Sequence, residues 1–395
     1  MLRTYKYRLR PNTGQTEQLL ILFQQSRRLY NNALEQRINT YKETGKGIKY
    51  AQQWTYFRDD RNNKPDIYGM LNASSVQQML RRLDKAYSAF FRRIKAGETP
   101  GHPRFKNAQR FKSVEYRYGD GCKLRSQENG QVRLYIQNVG EIKIIYHRIV
   151  PETAVLKHLV LKHINTKWYV CLMLELPDPE PVLPIGKTVG IDMGVKSLLA
   201  TSDGVLYENP HWLRESLAQL RVAQRTVARR KKGSNRRHKA VRRVSALYEK
   251  ITSQRADYWH KITRNLAEQY SFIALENLNL NFMNRNKNLS LSSYDAGLGI
   301  FTQLLAYKVE ETGSRLVLVN PANTSQACSA CGELVEKDLS VRVHKCPHCG
   351  LIINRDINAA RNILSKAVNL HPLGLSGQDL TWNNSSCVSC EAVIL

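Results

Sequence analysis

Three acidic residues stand out in a chain whose formal net charge is +27. Asp192 and Glu276 each end an apolar segment, and Asp356 begins a segment with helical periodicity. Carboxylates can hold two Mg²⁺ ions about 4 Å apart, which activate a water and stabilise the leaving oxygen of a phosphodiester. Because two strand ends and one helix start can meet at one sheet edge, we predict that these three residues form a metal-dependent nuclease site.

Each acid by itself has an ordinary explanation. An Asp at a helix start is often an N-cap, and a Glu at a strand end is often a solvated terminus or an ion-pair partner. The prediction therefore depends on the three residues occurring together.

Two Cys-x-x-Cys pairs separated by fourteen residues form a four-thiolate pattern. This pattern favours one structural, tetrahedral Zn²⁺ over free or disulfide-bonded thiols. The predicted zinc ligands are Cys328, Cys331, Cys346 and Cys349. His344 and His348 are interpreted as bystanders, and Cys387 and Cys390 have no second pair with which to complete another zinc site.

The composition indicates a nucleic-acid partner, since the chain has 60 Lys and Arg residues and only 33 Asp and Glu residues. A basic solvated surface or a ribosomal-type protein is the alternative. The densest basic run interrupts a long helical region, and we predict that it contacts nucleic-acid backbone. It comprises Arg229, Arg230, Lys231, Lys232, Arg236, Arg237, Lys239, Arg242 and Arg243.

No apolar run is long enough for a membrane span, and the amino terminus lacks a signal-peptide core. These two features predict an intracellular protein.

The first half of the chain has a strand, a helical stretch and then further strands. The predicted strands cover 2–10, 132–136, 141–146, 155–163 and 168–176, and the predicted helices cover 16–41 and 74–95. Short strands at this spacing indicate a small β-barrel interrupted by helices, with a loop at 97–111. A Pro-rich stretch at 177–184 marks a domain boundary.

The second half has an α/β pattern. Its predicted strands are 188–192, 197–202, 205–208, 272–275 and 315–320, and its predicted helical regions are 211–270 and 301–312. The break in the first helical region falls near Gly233.

These patterns together resemble the TnpB family, the transposon-encoded RNA-guided endonucleases related to type V CRISPR effectors. The resemblance rests on KAGETPGHPRFK (95–106), GIDMGVKSLLATSDG (190–204), IALENLNL (273–280), TSQACSACG (324–332) and CPHCGLIINRDINAARNIL (346–364). It implies a RuvC-like nuclease domain of the RNase H fold, with Asp192, Glu276 and Asp356 at its catalytic positions and the four cysteines in a zinc-binding insert.

The resemblance also implies a multidomain α+β architecture. The expected domains are a wedge β-barrel (1–12 and 112–182), a helical recognition domain (13–111), the RuvC-like domain (186–324 and 353–370), the zinc-binding insert (325–352) and a tail (371–395) that could be disordered. Ser75, Gln77 and Gln78 would lie on the helix that approaches the DNA motif, although a solvated helix face is an equal alternative.

The family resemblance implies a guide RNA made from the transposon end and a double-stranded DNA target beside a short motif. The expected particle is a cytoplasmic, nucleoid-associated ribonucleoprotein that contains one protein chain, two Mg²⁺ ions and one Zn²⁺ ion. The alternatives are a nuclease-inactive RNA-guided repressor, which the intact acids disfavour, and a conventional transposase, which lacks any matching second module here.

One residue departs from the family pattern. Many relatives have Asp-Arg-Asp before the last helix, whereas this chain has Asn354-Arg355-Asp356. The catalytic acid is kept, but a charge near it is lost. We further expect the cysteine knuckle, which precedes Asp356 directly, to position Asp356 or the incoming strand.

Overall fold

A computed structural model describes residues 1–128, 130–178, 187–287, 290–338 and 341–370. The tail with Cys387 and Cys390 lies outside these residues. The chain divides into two compact units, Met1–Pro177 and a second unit that begins at Asp178. Within the described residues, no helix is both long and apolar enough to cross a membrane.

The first unit contains a seven-stranded antiparallel sheet. Its strands are β1 (Leu2–Arg10), β2 (Ser113–Arg117), β3 (Cys122–Ser126), β4 (Val132–Ile136), β5 (Gly140–Ile145), β6 (Val155–Ile164) and β7 (Lys167–Glu175). They follow the order β2-β6-β7-β1-β5-β4-β3. A short turn after Arg117 joins β2 to β3, so the two ends of the order are close together. Closure of this sheet into a barrel stays a prediction.

The strand β1 runs through the middle of this sheet. Tyr5, Tyr7 and Leu9 are buried while Thr4 and Lys6 are exposed, as the period of two in the sequence predicts. The inward residues of all the strands share one apolar core.

Four helices are inserted between β1 and β2. They are α1 (Thr13–Thr44), α2 (Tyr50–Asn63), α3 (Pro65–Tyr68) and α4 (Ala73–Lys95). Asn12 and Gln15 form a capping box at the start of α1, and Gly45 ends α1 in the left-handed conformation with φ of 67°. The apolar faces of α1 and α4 pack into the same apolar core as the strands.

The second unit is built on a five-stranded sheet with the order β10-β9-β8-β11-β12. Its strands are β8 (Lys187–Met193), β9 (Ser197–Thr201), β10 (Leu206–Glu208), β11 (Tyr270–Glu276) and β12 (Arg315–Val319). The first three pair antiparallel, whereas β11 lies parallel to both β8 and β12. This mixed sheet agrees with the RuvC-like α/β domain expected from the family resemblance.

Helices cover both faces of this sheet. They are α5 (Trp212–Ala228), α6 (Asn235–Gln269), α7 (Leu280–Arg285), α8 (Ser290–Ala296), α9 (Leu298–Thr312) and α10 (Arg355–Leu370). On one face, Ile191 and Leu275 share a core with α6 and α9. On the other face, Ala274 and Val317 pack against Ile363 of α10. A small hairpin of β13 (Val343–Lys345) and β14 (Ile352–Asn354) precedes α10.

Candidate metal centres

Asp192 lies near the end of β8, the central strand of the second sheet. Its neighbour Ile191 points into the core formed with α6 and α9. Because side chains alternate along a strand, Asp192 points to the opposite face, which α10 covers. Asp192 remains partly accessible there.

Glu276 is the last residue of β11 and is buried, with 7% of its surface exposed. Leu275 is paired with Ile191 in the parallel ladder, so the next residues along the two strands are Glu276 and Asp192. The Thr324 hydroxyl donates a hydrogen bond to Oε1 of Glu276. The two predicted strand-end acids therefore lie side by side.

Asp356 lies in the first turn of α10. Asn354 caps this helix, because its Oδ1 accepts from the backbone N–H groups of Asp356 at 2.8 Å and Ile357 at 3.4 Å. The guanidinium of Arg342 lies 3.9 Å from Oδ1 of Asp356. The residue that replaces the usual family acid thus fixes the start of the helix that presents Asp356.

A glycine allows α10 to approach β8 closely. A Cβ atom on Gly190 would lie 2.1 Å from the carbonyl oxygen of Ala360 and 2.8 Å from the Cβ of Leu364. Only a residue without a side chain fits at this distance. Gly190 is therefore required to bring the helix of Asp356 onto the strand of Asp192.

The three carboxylates interact electrostatically. Burial, together with the charges of Glu276 and Asp356, raises the pKa of Asp192 to about 8, although Arg355 opposes this shift. Burial also raises the pKa of Glu276, against the hydrogen bond from Thr324. A divalent cation would relieve this repulsion, and a set of oxygen ligands suits Mg²⁺. Binding of Mg²⁺ by the three acids stays a prediction.

The four predicted zinc ligands form one cluster, with all four Sγ atoms within 4.8 Å of one another. The Cys328–Cys349 and Cys331–Cys346 pairs are each separated by 3.6 Å between Sγ atoms. A tetrahedral Zn²⁺ with Zn–S bonds of about 2.3 Å would need sulfur atoms about 3.8 Å apart. The cluster therefore fits a closed, structural zinc site.

The thiols of this cluster differ in their pKa values. Hydrogen bonds from the N–H groups of Cys349 and His348 and from neighbouring thiols lower the pKa of Cys346 to about 6, whereas desolvation and neighbouring thiols raise the pKa values of Cys331 and Cys349. His344 is buried and contacts Lys337, and it is outside the group of four ligands found among the described residues.

The predicted basic run covers the turn between α5 and α6 and the first turns of α6. Most of its side chains are exposed. Arg237 is the exception, because its guanidinium donates to the carbonyl of Val227 at 2.9 Å and closes the end of α5. The remaining side chains are free to reach phosphates, and their contact with nucleic acid stays a prediction.

The polar residues predicted on α4 do not form an exposed face. Ser75 is 1% exposed and belongs to the N-terminal cap of α4, and Gln78 is 6% exposed. Gln77 is half-buried. The contact of these residues with a DNA motif stays a prediction, for which Gln77 is the most accessible of the three.

Two curated proteins are similar to this chain over most of its length. A curated protein of Escherichia coli K12, named putative RNA-guided DNA endonuclease InsQ, is 30% identical over 92% of both chains. The chain belongs to the TnpB family. A putative RNA-guided DNA endonuclease of Streptomyces pristinaespiralis is 31% identical over 92% of this chain and 89% of the relative.

Family models match successive parts of this TnpB-family chain. They are described as a helix-turn-helix domain (residues 1–46), a probable transposase, OrfB_IS605 (171–287), and a Cas12f1-like TNB domain (299–363). In the structure, residues 1–46 contain a strand and one long helix.

Solved structures share the fold at low sequence identity. A Cas12f1–sgRNA–target DNA complex gives a TM-score of 0.59 at 18% identity, covering 88% of this chain and 82% of the other. The mini-RNA-guided endonuclease CRISPR-Cas_phi3 gives 0.56 at 8% identity, covering 94% and 93%. The multidomain α+β fold predicted from the sequence is thereby confirmed.

Sequence reasoning missed several residues around the acids. Thr324 and Arg342 contact acids that are distant in the chain. Gly190 is only two residues from Asp192, but its role depends on contact with α10, which is distant in the chain. The cap formed by Asn354 could have been recognised, because Asn directly before a helical period is a common N-cap.

Proposed function

We propose that this TnpB-family protein is an RNA-guided DNA endonuclease that uses Mg²⁺ held by Asp192, Glu276 and Asp356. The observation that carries the proposal is the convergence of three carboxylates from distant segments, with the pKa of Asp192 raised to about 8. The names of the two full-length relatives and the Cas12f1 complex with guide RNA and target DNA support the same activity.

The proposed chemistry is hydrolysis of a phosphodiester. Bound Mg²⁺ would activate the attacking water and stabilise the leaving oxygen. Asp192 and Glu276 would hold the metal from the sheet edge, and Asp356 would hold it from the start of α10. Thr324 fixes the Glu276 carboxylate, and Arg342 supplies positive charge beside Asp356.

The exposed basic run around the turn between α5 and α6 would contact the phosphates of RNA or DNA. Base pairing between a guide RNA and the DNA would select the target sequence. The four cysteines would hold one structural Zn²⁺. The proposed partners are a guide RNA from the transposon end and duplex DNA in the nucleoid, bound by a single protein chain.

Reconstitution tests this proposal. The protein is purified with the RNA that accompanies it and is mixed with Mg²⁺ and a duplex that matches the guide. The wild type should cut this duplex and spare a mismatched one, and Asp192→Ala should slow cutting by about 10³-fold or more while keeping target affinity.

A surface change provides the control. Asp257→Ala removes an exposed acid that pairs with Lys261, so it should cut like the wild type. Tight target binding without cutting by the wild type would favour a nuclease-inactive repressor. Cutting that ignores the guide would refute RNA guidance.

A further inference from the structure

The loop Thr324–Ser329 connects the acid site to the cysteine cluster. Its first residue donates a hydrogen bond to Glu276, and Cys328, near its other end, belongs to the four-cysteine cluster. Thr324 is 1% exposed. Its hydroxyl also lies 2.9 Å from the Pro321 carbonyl, and because a hydroxyl has one proton, these two acceptors compete for it.

Two asparagines of α10 hold this loop. Asn358 donates to the carbonyl of Ala327 at 2.7 Å and accepts from the N–H of Ser329 at 2.9 Å. Asn362 donates to the carbonyls of Ala327 at 2.7 Å and Thr324 at 2.9 Å. Each amide therefore bridges two points of the loop backbone.

These asparagines are placed to link the acids to one another. They are four residues apart, so they share one face of α10, the helix whose first turn carries Asp356. Both are buried, Asn358 completely and Asn362 to 9% exposure. Burying an amide without its hydrogen bonds costs free energy. The arrangement in which both asparagines bond to the loop is therefore favoured over arrangements that break these bonds.

We propose that Asn358, Asn362 and Thr324 are positioning residues that lock Glu276 in register with Asp356. The asparagines fix the loop to α10, the loop fixes the Thr324 hydroxyl, and the hydroxyl orients the carboxylate of Glu276. The zinc cluster anchors the far end of the same loop. None of the three residues touches the DNA or the metal in this role, which rests on the proposed metal site.

Isosteric variants of Thr324 test this role. Thr324→Val removes the hydroxyl and keeps the shape, while Thr324→Ser keeps the hydroxyl. Partners that orient metal ligands typically contribute 10–100-fold to metal affinity or activity. Thr324→Val should therefore raise the Mg²⁺ concentration for half-maximal single-turnover cutting by about 10-fold or more, and Thr324→Ser should restore it.

An asparagine pair on the same helix extends the test. Asn358→Asp keeps the acceptor for Ser329 and loses the donor to Ala327, whereas Asn369→Asp makes the same change at an exposed position of α10. Only Asn358→Asp should raise the Mg²⁺ requirement. Zinc content and target affinity should stay at the wild-type level in Thr324→Val.

The readouts separate this proposal from the nuclease proposal. Binding of Mn²⁺ to the free protein, measured by calorimetry, reports the metal site without any cutting. If the wild type cuts no guided duplex, the proposed function is wrong, but weaker Mn²⁺ binding by Thr324→Val than by Thr324→Ser still supports positioning. Equal Mn²⁺ binding by the wild type and Thr324→Val would overturn it, as would loss of zinc and target affinity in parallel with the metal.

Discussion

Adding one methyl group at Gly190 should move α10 and its Asp356 away from β8. In Gly190→Ala the new Cβ would lie 2.1 Å from the carbonyl oxygen of Ala360. An ordinary contact of this kind needs about 3.4 Å, so the helix backbone must shift by about 1 Å. Overpacking of this size costs about 1–3 kcal/mol, and a 1 Å misplacement in an active site can slow a reaction by about 100-fold.

Two measurements on the same variant check this reasoning. Urea unfolding of the free protein should show the stability loss, and single-turnover cutting of a guided duplex should show the slower rate. Gly47→Ala is the matched control, because a Cβ there has no atom within 4 Å. Wild-type stability and rate in Gly190→Ala would refute the close packing of α10 on β8.

Variants at three further positions probe separate parts of the second unit. The pKa of Asp192 is raised in the folded protein, so the fold loses stability as the pH rises from about 4 to 8. In Mg²⁺-free buffer, Asp192→Asn should therefore raise the free energy of unfolding by about 1–3 kcal/mol at pH 8.5 and by far less at pH 5. Equal effects at both pH values would contradict this. Asn354→Ala should cost about 1 kcal/mol through the lost cap, whereas Asn354→Asp should not, as thermal melts would show. Cys346→Ser should abolish binding of about one zinc per chain, measured by metal analysis; normal folding without zinc would contradict a structural site.

Strong hydrophobic periods made much of the fold predictable. The apolar runs of β8 and β11 and the helical period of α4 marked these elements correctly. The strands β2 and β3 were missed, because Ser113–Arg117 and Cys122–Ser126 are short and rich in polar residues. The helix α2 was also missed, since it buries little besides Gln53 and Phe57. Their structure depends on partners that are distant in the chain.

The three acids could be found from the sequence, but the residues that hold them in position could not. Each acid terminates or begins an apolar element, which is a local signal. The hydrogen bonds of Thr324, Asn358 and Asn362 join residues 29 to 48 positions apart, so no period or spacing reveals them. The contact between Gly190 and α10 also depends on tertiary structure, because the sequence around Gly190 does not indicate which helix packs against it.

The central claim is that three distant carboxylates act as one metal site. Single-turnover cutting of a guided duplex by Asp192→Ala, Glu276→Gln and Asp356→Ala, each bound to the same RNA, tests it most directly. Residues that act as a unit lose activity together, so each variant should fall by about 10³-fold or more while target affinity is kept. A near-wild-type rate in any one of the three would contradict the shared site.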